Sequence, residues 1–432
     1  MAAMNPSVTP LQSPGAQSNP NVDYRIRFVT AASLFDGHDA SINIIRRLLQ
    51  ASGAEVIHLG HNRSVQEIVD AAVEEDVQGI AVSSYQGGHS EFFRYMIDML
   101  RARGREDIRV FGGGGGVIVA EEIQALHDYG VCRIYSPEDG QRLGLQGMID
   151  DMMHQADFYP GQQGSETLEG LDERDGGRLA RLITEIENST ASEFVLRQVR
   201  TAGSPESGRV PVLGITGTGG SGKSSLTDEL ILRWRMDYGD SLRLAVLAVD
   251  PTRRRTGGAL LGDRIRMNAI DGDAVFLRSL ATRGAGGEIP PQLGDIIAAC
   301  RCASFDLIIV ETPGIGQGDA GIVSQVDCAL YVMTPEFGAA SQLEKIEMLD
   351  YADLIAINKG DRKGAQDALR DVRKQVQRNR NAFASSPAMM PVFITMASHF
   401  NDAGVTELYR ALNAYLVDRG FDSGPELMPA LQ

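Results

Sequence analysis

A glycine-rich loop that ends in lysine and serine lies at residues 217–224, near the middle of the chain. An apolar run, 210–215, precedes the loop, and a run of helix-forming residues, 225–232, follows it. This order fits the pattern G-x-x-x-x-G-K-[ST], in which backbone N–H groups surround a phosphate at the positive end of a helix. A bare match can also be a glycine-rich turn that binds nothing. In its context, the pattern predicts a nucleotide-binding loop.

The residues of this loop have predicted roles in binding phosphate and metal. Lys223 would reach the outer phosphates and neutralise charge during phosphoryl transfer. Ser224 would place its hydroxyl on Mg²⁺. The phosphates themselves would be surrounded by Gly219, Gly220, Ser221 and Gly222.

Acidic residues follow the strands that we predict beside this loop. Asp250 ends the strand at 242–249, and Glu311 and Thr312 follow the strand at 306–310. Mg²⁺ and its waters need hard oxygen ligands at this edge of the sheet. A lone acidic residue here could instead cap a helix, and that alternative stays open.

The sequence Asn358-Lys359-Gly360-Asp361 follows a third strand and indicates which base is bound. A carboxylate at Asp361 can accept hydrogen bonds from guanine N1–H and the exocyclic amine, which adenine cannot supply. The stem of Lys359 would lie along the base. Ser398, after the strand at 392–395, is expected to contact the base as well. Together with the upstream loop, this motif predicts specificity for GTP over ATP.

A second group of chemical residues lies in the first third of the chain. Asp36 and His38 follow a strand, Ser83 and Tyr85 follow another, and a glycine run at 112–116 follows a third. His38 could present a ring nitrogen to a metal while a carboxylate two residues away fixes its tautomer. His38 taken alone is more often an ordinary loop histidine. Because the three loops share one sheet edge, we favour a ligand site.

Strands that alternate with helices must position both groups of residues. The alternation predicts an α/β protein with two doubly wound parallel sheets, whose ligands lie at the carboxyl ends of the strands. A helical linker at 158–208 would join a first domain at 23–157 to a second at 209–417. Residues 1–22 are predicted to be a disordered tail and residues 418–432 a C-terminal tail.

Composition limits the classes of partner. The net charge of −16 argues against a nucleic-acid partner, which would require clustered Lys and Arg. The four cysteines are scattered and are expected to be free thiols. No apolar run is long enough to cross a membrane, so we expect no membrane partner and a cytoplasmic location.

The residues of the first domain resemble the flavodoxin-like cobalamin-binding domain of the carbon-skeleton mutases and methionine synthase. Asp36, His38, Ser83 and the pair Gly113 and Gly114 match its D-x-H-x-x-G, S-x-L and G-G pattern. The resemblance implies that His38 is the lower axial cobalt ligand, with Asp36 behind it. It also implies that the displaced base lies near Ser83 and the glycines.

Two positions depart from this pattern. Ser41 stands where the family usually has glycine, and Tyr85 stands where it has leucine. The packing around the nucleotide tail of the cofactor can therefore differ, although the ligand histidine is kept.

The second domain is similar to the P-loop G-protein chaperones of methylmalonyl-CoA mutase, through residues 249–267 and 311–317. The resemblance implies that Asp250, Asp263 and Glu311 lie near Mg²⁺ and that Arg266 contacts GTP. It also implies a third switch at 335–345, in which Lys345 either approaches the nucleotide or is a solvated charge. Glu-Thr-Pro-Gly replaces the Asp-x-x-Gly of Ras-like GTPases, so the residue that positions water is not assigned.

The two resemblances together match the N-terminal part of the fused isobutyryl-CoA mutase family, over residues 24 to about 420. They imply adenosylcobalamin, GTP or GDP and Mg²⁺ as ligands, and a homodimer. A substrate-binding mutase barrel is expected as the partner, either in cis in a longer protein or as a separate subunit. Such a barrel would bind isobutyryl-CoA for its conversion to n-butyryl-CoA.

Other functions stay open at this point. A corrinoid-responsive sensor or methyl carrier with a regulatory GTPase would call for a DNA-binding or kinase segment, and none is visible. A nickel-delivering GTPase would call for clustered Cys or His near the switches, which the scattered cysteines do not provide.

Overall fold

The computed structural model describes residues 24–160, 167–172, 174, 176–204, 210–283, 289–314, 320–337 and 343–422. The predicted N-terminal tail, part of the proposed third switch and most of the predicted C-terminal tail lie outside these residues. All structural statements below refer to the described ranges.

The first half of the chain alternates between strands and helices. In chain order these are β1 (Arg27–Ser33), α1 (Asp39–Ala51), β2 (Glu55–Arg63), α2 (Val65–Glu74), β3 (Gly79–Ser83), α3 (His89–Ala102), β4 (Arg109–Gly113), α4 (Ala120–Tyr129), β5 (Arg133–Tyr135), α5 (Pro137–Gln155), α6 (Gly177–Glu187) and α7 (Glu193–Ala202). The second half continues with β6 (Val212–Gly217), α8 (Lys223–Tyr238), β7 (Leu244–Asp250), β8 (Ala259–Leu261), β9 (Val275–Ala281), α9 (Leu293–Cys302), β10 (Leu307–Glu311), β11 (Cys328–Met333), α10 (Met348–Tyr351), β12 (Leu354–Asn358), α11 (Ala365–Asn379), β13 (Val392–Thr395) and α12 (Ala403–Val417).

Two parallel sheets organise these elements. The first has the strand order β5-β4-β3-β1-β2-β8, and the second has the order β13-β12-β11-β6-β10-β7-β9. Every residue of β1 is buried, as are those of β3, β6 and β10. Parallel strands covered by helices on both faces are buried along their whole length in this way. The predicted α/β fold with two parallel sheets is confirmed, and the order of the first five strands in the first sheet is flavodoxin-like.

The edge strand β8 lies in the first sheet, although its sequence falls within the range predicted for the second domain. It pairs in parallel with β2, with Ala259 opposite Glu55 and Leu261 opposite Ile57. The preceding strand β7 and the following strand β9 pair with each other in the second sheet. The chain therefore leaves the second sheet after β7, adds a strand to the first sheet and returns.

The helices α6 and α7, in the predicted linker, pack on the second sheet. Leu182 and Ile183 of α6 and Val195 of α7 belong to one buried cluster with Leu247 of β7 and Val310 of β10. The linker helices thus contribute to the core under the second sheet.

A buried group of charges joins the two sheets. Arg27 of β1 lies 2.7 Å from Glu75 and 3.2 Å from Glu187 of α6. Arg278 of β9 lies 2.5 Å from the same Glu187 carboxylate. Because these charges are buried, each needs its partner to offset the cost of leaving water. Among the described helices, none is both long and apolar enough to cross a membrane.

Candidate functional site

The loop after β1 holds His38 in a defined orientation. The side chain of Asp36 is fully buried, and its Oδ1 lies 2.9 Å from His38 Nδ1 and accepts a second hydrogen bond from the His38 backbone N–H. Its Oδ2 accepts a hydrogen bond from the Tyr85 N–H at 2.7 Å. Burial raises the pKa of Asp36, but the hydrogen bonds from Tyr85 and His38 outweigh it and lower the pKa below its ordinary value. The His38 side chain is 69% exposed, so its other nitrogen faces solvent.

The two residues that depart from the cobalamin pattern contact each other. The hydroxyls of Ser41, at the start of α1, and Tyr85, after β3, lie 2.8 Å apart. The Tyr85 ring also packs at 5.5 Å from the His38 ring, measured between centroids. Because glycine and leucine cannot form this bond, the two departures belong together.

A cavity of about 300 Å³ lies beside this loop. Ser83, Tyr85, Gly113 and Gly114 all line it, together with apolar side chains of α1 and α5. The Ser83 Oγ is buried and has no hydrogen-bond partner in the described part of the chain. A Cβ on Gly114 would come within 1.9 Å of the Ser84 carbonyl oxygen. The cavity therefore offers an apolar cleft and an unsatisfied hydroxyl, which fits the nucleotide tail of a corrinoid.

The glycine-rich loop after β6 has the backbone that phosphate binding needs. Gly220 and Gly222 have φ values of +73° and +88°, which favour glycine. Lys223 opens α8, and its ammonium donates to the Gly217 carbonyl at 3.2 Å. Gly314 has a φ of +66°, and a Cβ there would lie 2.4 Å from the Gly217 carbonyl oxygen, so glycine is required. The loop brings lysine and backbone donors to one place, as the sequence predicted.

Several carboxylates lie close to the Ser224 hydroxyl. Its hydroxyl lies 2.7 Å from Glu311 Oε1 and 3.2 Å from Asp263 Oδ1. Burial and the charge of Asp263 raise the pKa of both Glu311 and Asp250. Asp250 accepts from the Gly262 N–H at 3.0 Å, which closes the segment between the two aspartates. These carboxylates repel one another, so a cation among them would relieve the repulsion.

Two further residues predicted for this site, Thr312 and Arg266, differ in their exposure to solvent. Thr312 is buried, and its hydroxyl donates to Thr216 at 2.9 Å. Arg266 is 60% exposed and lies 3.4 Å from Asp263. The described residues contain no group of three His, Cys, Asp or Glu side chains arranged to hold a metal by themselves. Mg²⁺ in P-loop proteins takes many of its ligands from phosphate and water, so the Ser224 group fits the ion in the presence of a nucleotide.

The guanine motif lies beside the phosphate loop. Asn358 donates from Nδ2 to the Ser221 carbonyl at 2.8 Å and accepts from the Ala397 N–H at 3.1 Å. Lys359 donates to the Gly220 carbonyl at 2.6 Å. Asp361 and Ser398 line the adjoining cavity of about 270 Å³. The four predicted base-site residues therefore surround one cavity next to the loop.

Some residues of the site were missed by sequence reasoning. Thr227 of α8 donates to Glu311 Oε2 at 2.9 Å, so it holds the second oxygen of that carboxylate. A threonine four residues after the loop lysine is on the same helix face and could have been noticed. The ion pair between Arg264 and Glu74 could not have been predicted, because the two residues are far apart in the chain.

Comparisons with known proteins match two parts of the chain. Residues 26–138 match the B12 binding domain, and residues 179–419 match the methylmalonyl Co-A mutase-associated GTPase MeaB. The second match begins within α6, in the predicted linker.

Some relatives match nearly the whole chain, and others match about half of it. The chain is 63% identical over 408 residues to a fused isobutyryl-CoA mutase of Cupriavidus metallidurans, covering 94% of this chain and 37% of the relative. It is 60% identical over 410 residues to the fused isobutyryl-CoA mutase of Nocardia farcinica, covering 95% of this chain and 38% of the relative. The GTPase ArgK of Escherichia coli is 33% identical over 202 residues, covering 46% of this chain and 57% of the relative.

The chain thus spans little more than a third of the length of the fused mutases that it matches. The resemblance to fused isobutyryl-CoA mutases that the sequence predicted is confirmed. The GTPase family model alone covers more than half of the chain. The chain belongs to the family of methylmalonyl Co-A mutase-associated GTPases, MeaB, and carries a B12 binding domain ahead of the GTPase.

Proposed function

We propose that this chain binds adenosylcobalamin through His38, hydrolyses GTP with Mg²⁺, and uses the nucleotide state to control cofactor loading for an acyl-CoA mutase. The observation that carries the proposal is the hydrogen bond from His38 Nδ1 to a buried Asp36, beside a cavity with an unsatisfied Ser83 hydroxyl. The same chain carries a P-loop with a guanine motif.

His38 would hold the cobalt of the cofactor through Nε2. Because Asp36 engages Nδ1, the tautomer with a free Nε2 lone pair is favoured. The lowered pKa of Asp36 keeps this carboxylate ionised at neutral pH. When bound, the cofactor supplies a carbon–cobalt bond whose homolysis starts a radical rearrangement. The residues of this chain bind and orient it.

In the GTPase, Lys223 and the Mg²⁺ held by Ser224 would neutralise the charge on the transferring phosphoryl group. Asp250, Asp263, Glu311 and Thr312 would hold the ion and its waters, and Glu311 is our candidate catalytic carboxylate. Arg266 would contact GTP from the segment that follows Asp263. Hydrolysis would release this segment and so change how the domains dock.

The proposed reaction of the whole assembly is the conversion of isobutyryl-CoA to n-butyryl-CoA. Its substrate-binding barrel would be supplied in cis or by a separate subunit, and the name fused isobutyryl-CoA mutase of the relatives supports a barrel in cis. We also propose a homodimer, supported by the resemblance alone. A cytoplasmic location is supported by four free thiols, which persist in a reducing compartment.

An absorption spectrum with adenosylcobalamin tests the cobalt assignment. The wild-type chain should show the spectrum of a corrinoid whose cobalt is ligated by histidine, and His38→Ala should lose these features. Unchanged spectra of the two proteins would reject His38 as the ligand.

Calorimetry with GTP and ATP tests the nucleotide assignment. GTP should bind more tightly than ATP, and Lys223→Ala should lose hydrolysis. Preference for ATP, or undiminished hydrolysis by the lysine variant, would reject the GTPase assignment.

A further inference from the structure

The segment between Asp250 and Asp263 leaves the GTPase and docks on the cobalamin domain. Its strand β8 extends the first sheet beside β2. The hydroxyl of Thr256, ahead of β8, donates to the Gln50 carbonyl at the end of α1. Both aspartates belong to the proposed Mg²⁺ site, so the position of that site depends on a surface outside the GTPase.

The return of this segment is fixed by Arg264, the residue after Asp263. Its guanidinium forms an ion pair with Glu74, the last residue of α2, and lies 3.5 Å from Glu75. It also donates to the Leu277 carbonyl of β9 at 3.0 Å. The Arg264 side chain is 9% exposed and that of Glu74 is 14% exposed. A pair so well shielded from water holds its geometry more firmly than a surface pair.

The next residue adds an apolar contact. Ile265 packs on Gly60 of β2, so closely that a Cβ on Gly60 would lie 2.8 Å from its Cδ1. Arg264 and Ile265 lie in one short turn, Arg264–Arg266, in which the Arg266 N–H donates to the Asp263 carbonyl at 2.9 Å. The turn is therefore held to α2 and β2 of the cobalamin domain, and Asp263 at its start is held with it.

We propose that Glu74 of the cobalamin domain is a positioning residue for the Mg²⁺ site of the GTPase, acting through Arg264 on Asp263. This inference rests on the proposed GTPase function. Glu74 is not among the residues proposed to hold the nucleotide or the metal. It fixes the guanidinium that anchors the turn, and the turn sets the distance from Asp263 to Ser224, which is 3.2 Å. The GTPase thereby depends on a carboxylate from the neighbouring domain.

The test measures binding and not turnover. A fluorescent N-methylanthraniloyl derivative of a non-hydrolysable GTP analogue is titrated into the full chain, once with saturating Mg²⁺ and once with EDTA. The ratio of the two Kd values reports how much Mg²⁺ strengthens nucleotide binding. In Glu74→Gln this ratio should fall roughly five-fold or more, because Mg²⁺-dependent binding should weaken more than binding in EDTA.

A matched control and a double mutant separate positioning from general damage. Asp70→Asn removes a carboxylate one turn earlier on α2, where its partner is Arg103 of the same domain at 2.7 Å. It should keep the wild-type ratio. Arg264→Gln should lower the ratio as Glu74→Gln does, and the double variant should lower it no further, because the two residues act as one unit.

The possible outcomes are distinct. A wild-type ratio in Glu74→Gln, or equal losses in Asp70→Asn, would overturn the inference, even if Glu74→Gln lowers the thermal midpoint. If Glu74→Gln does not fold, Arg264→Gln carries the test, and a wild-type ratio there overturns it. Absence of Mg²⁺-dependent binding in the wild-type chain would instead reject the proposed GTPase site itself.

Discussion

The Ser41 hydroxyl lies 2.8 Å from the Tyr85 hydroxyl, and the bond joins the start of α1 to the loop after β3 beside the cavity lined by Ser83. Both residues depart from the pattern of related cobalamin domains. The contact joins the two departures from the pattern into one polar pair.

The first prediction concerns this pair. Tyr85→Phe and Ser41→Ala should each weaken cobalamin binding about two- to five-fold, because each leaves the other hydroxyl unpaired at the cavity. The double variant should lose less than the product of the single losses. Absorbance titrations with adenosylcobalamin give the Kd values. Independent, multiplicative losses would show that the bond does not matter to binding.

Base specificity should follow Asp361. Asp361→Asn replaces an acceptor by an amide that can donate to the C2 carbonyl of xanthine. GTP affinity should fall about 100-fold or more, and XTP should become the better ligand. Calorimetry with both nucleotides checks this, and Asp367→Asn, an exposed change on α11, is the control. Retention of GTP preference by Asp361→Asn would place the guanine contact elsewhere.

The buried charges between the sheets should be costly to disrupt. Arg278 is fully buried against Glu187, at 2.5 Å. Arg278→Ala should destabilise the chain by about 3–5 kcal/mol, because it leaves a buried carboxylate short of a partner. Urea unfolding measures the change, and the exposed Arg370→Ala should cost less than about 1 kcal/mol. Similar midpoints for the two variants would contradict this role of Arg278.

Stability should fall in mild acid because of His58. Burial, and then the charge of Arg46, lowers its pKa from 6.5 to about 4 in the folded protein. The unfolded chain therefore binds the proton more readily, and up to about 3 kcal/mol of stability present above pH 6.5 is lost as the pH falls towards 4.

Urea midpoints measured across this pH range check the effect. In His58→Gln the slope of stability against pH should be shallower, and in His61→Gln, an exposed change on the same strand, it should match the wild type. An unchanged slope in the His58 variant would assign the acid sensitivity to other groups.

Local patterns were sufficient to predict much of the fold. The predicted strand at 392–395 coincides with β13, and the predicted strands at 242–249 and 306–310 overlap β7 and β10. Alternating strands and helices specify parallel sheets, and loop motifs then fall at the carboxyl ends of strands. These rules placed Asp36 and His38 in one loop, and Ser224 at the same sheet edge as Glu311. In the structure, Asp36 pairs with His38 and Ser224 contacts Glu311.

Long-range pairings could not be predicted in this way. The strand β8 has three residues and follows two glycines, which is too short for a periodic signal, and its partner β2 is about 200 residues earlier. The contact of Glu74 with Arg264 and that of Ser41 with Tyr85 depend on how separate elements meet. Only tertiary packing decides such contacts.

The crossing of β8 into the first sheet has a practical consequence for work with isolated halves. A fragment that stops after α5 would leave the N–H and C=O groups of β2 at Glu55–Ile57 without their neighbour. Such a fragment would expose an unpaired strand edge. It should aggregate, because other chains can pair with this edge. The other fragment would contain the apolar strand Ala259–Leu261 without its partner strand β2. Neither half would be a whole folding unit, so subcloning at the apparent boundary cuts through a shared sheet.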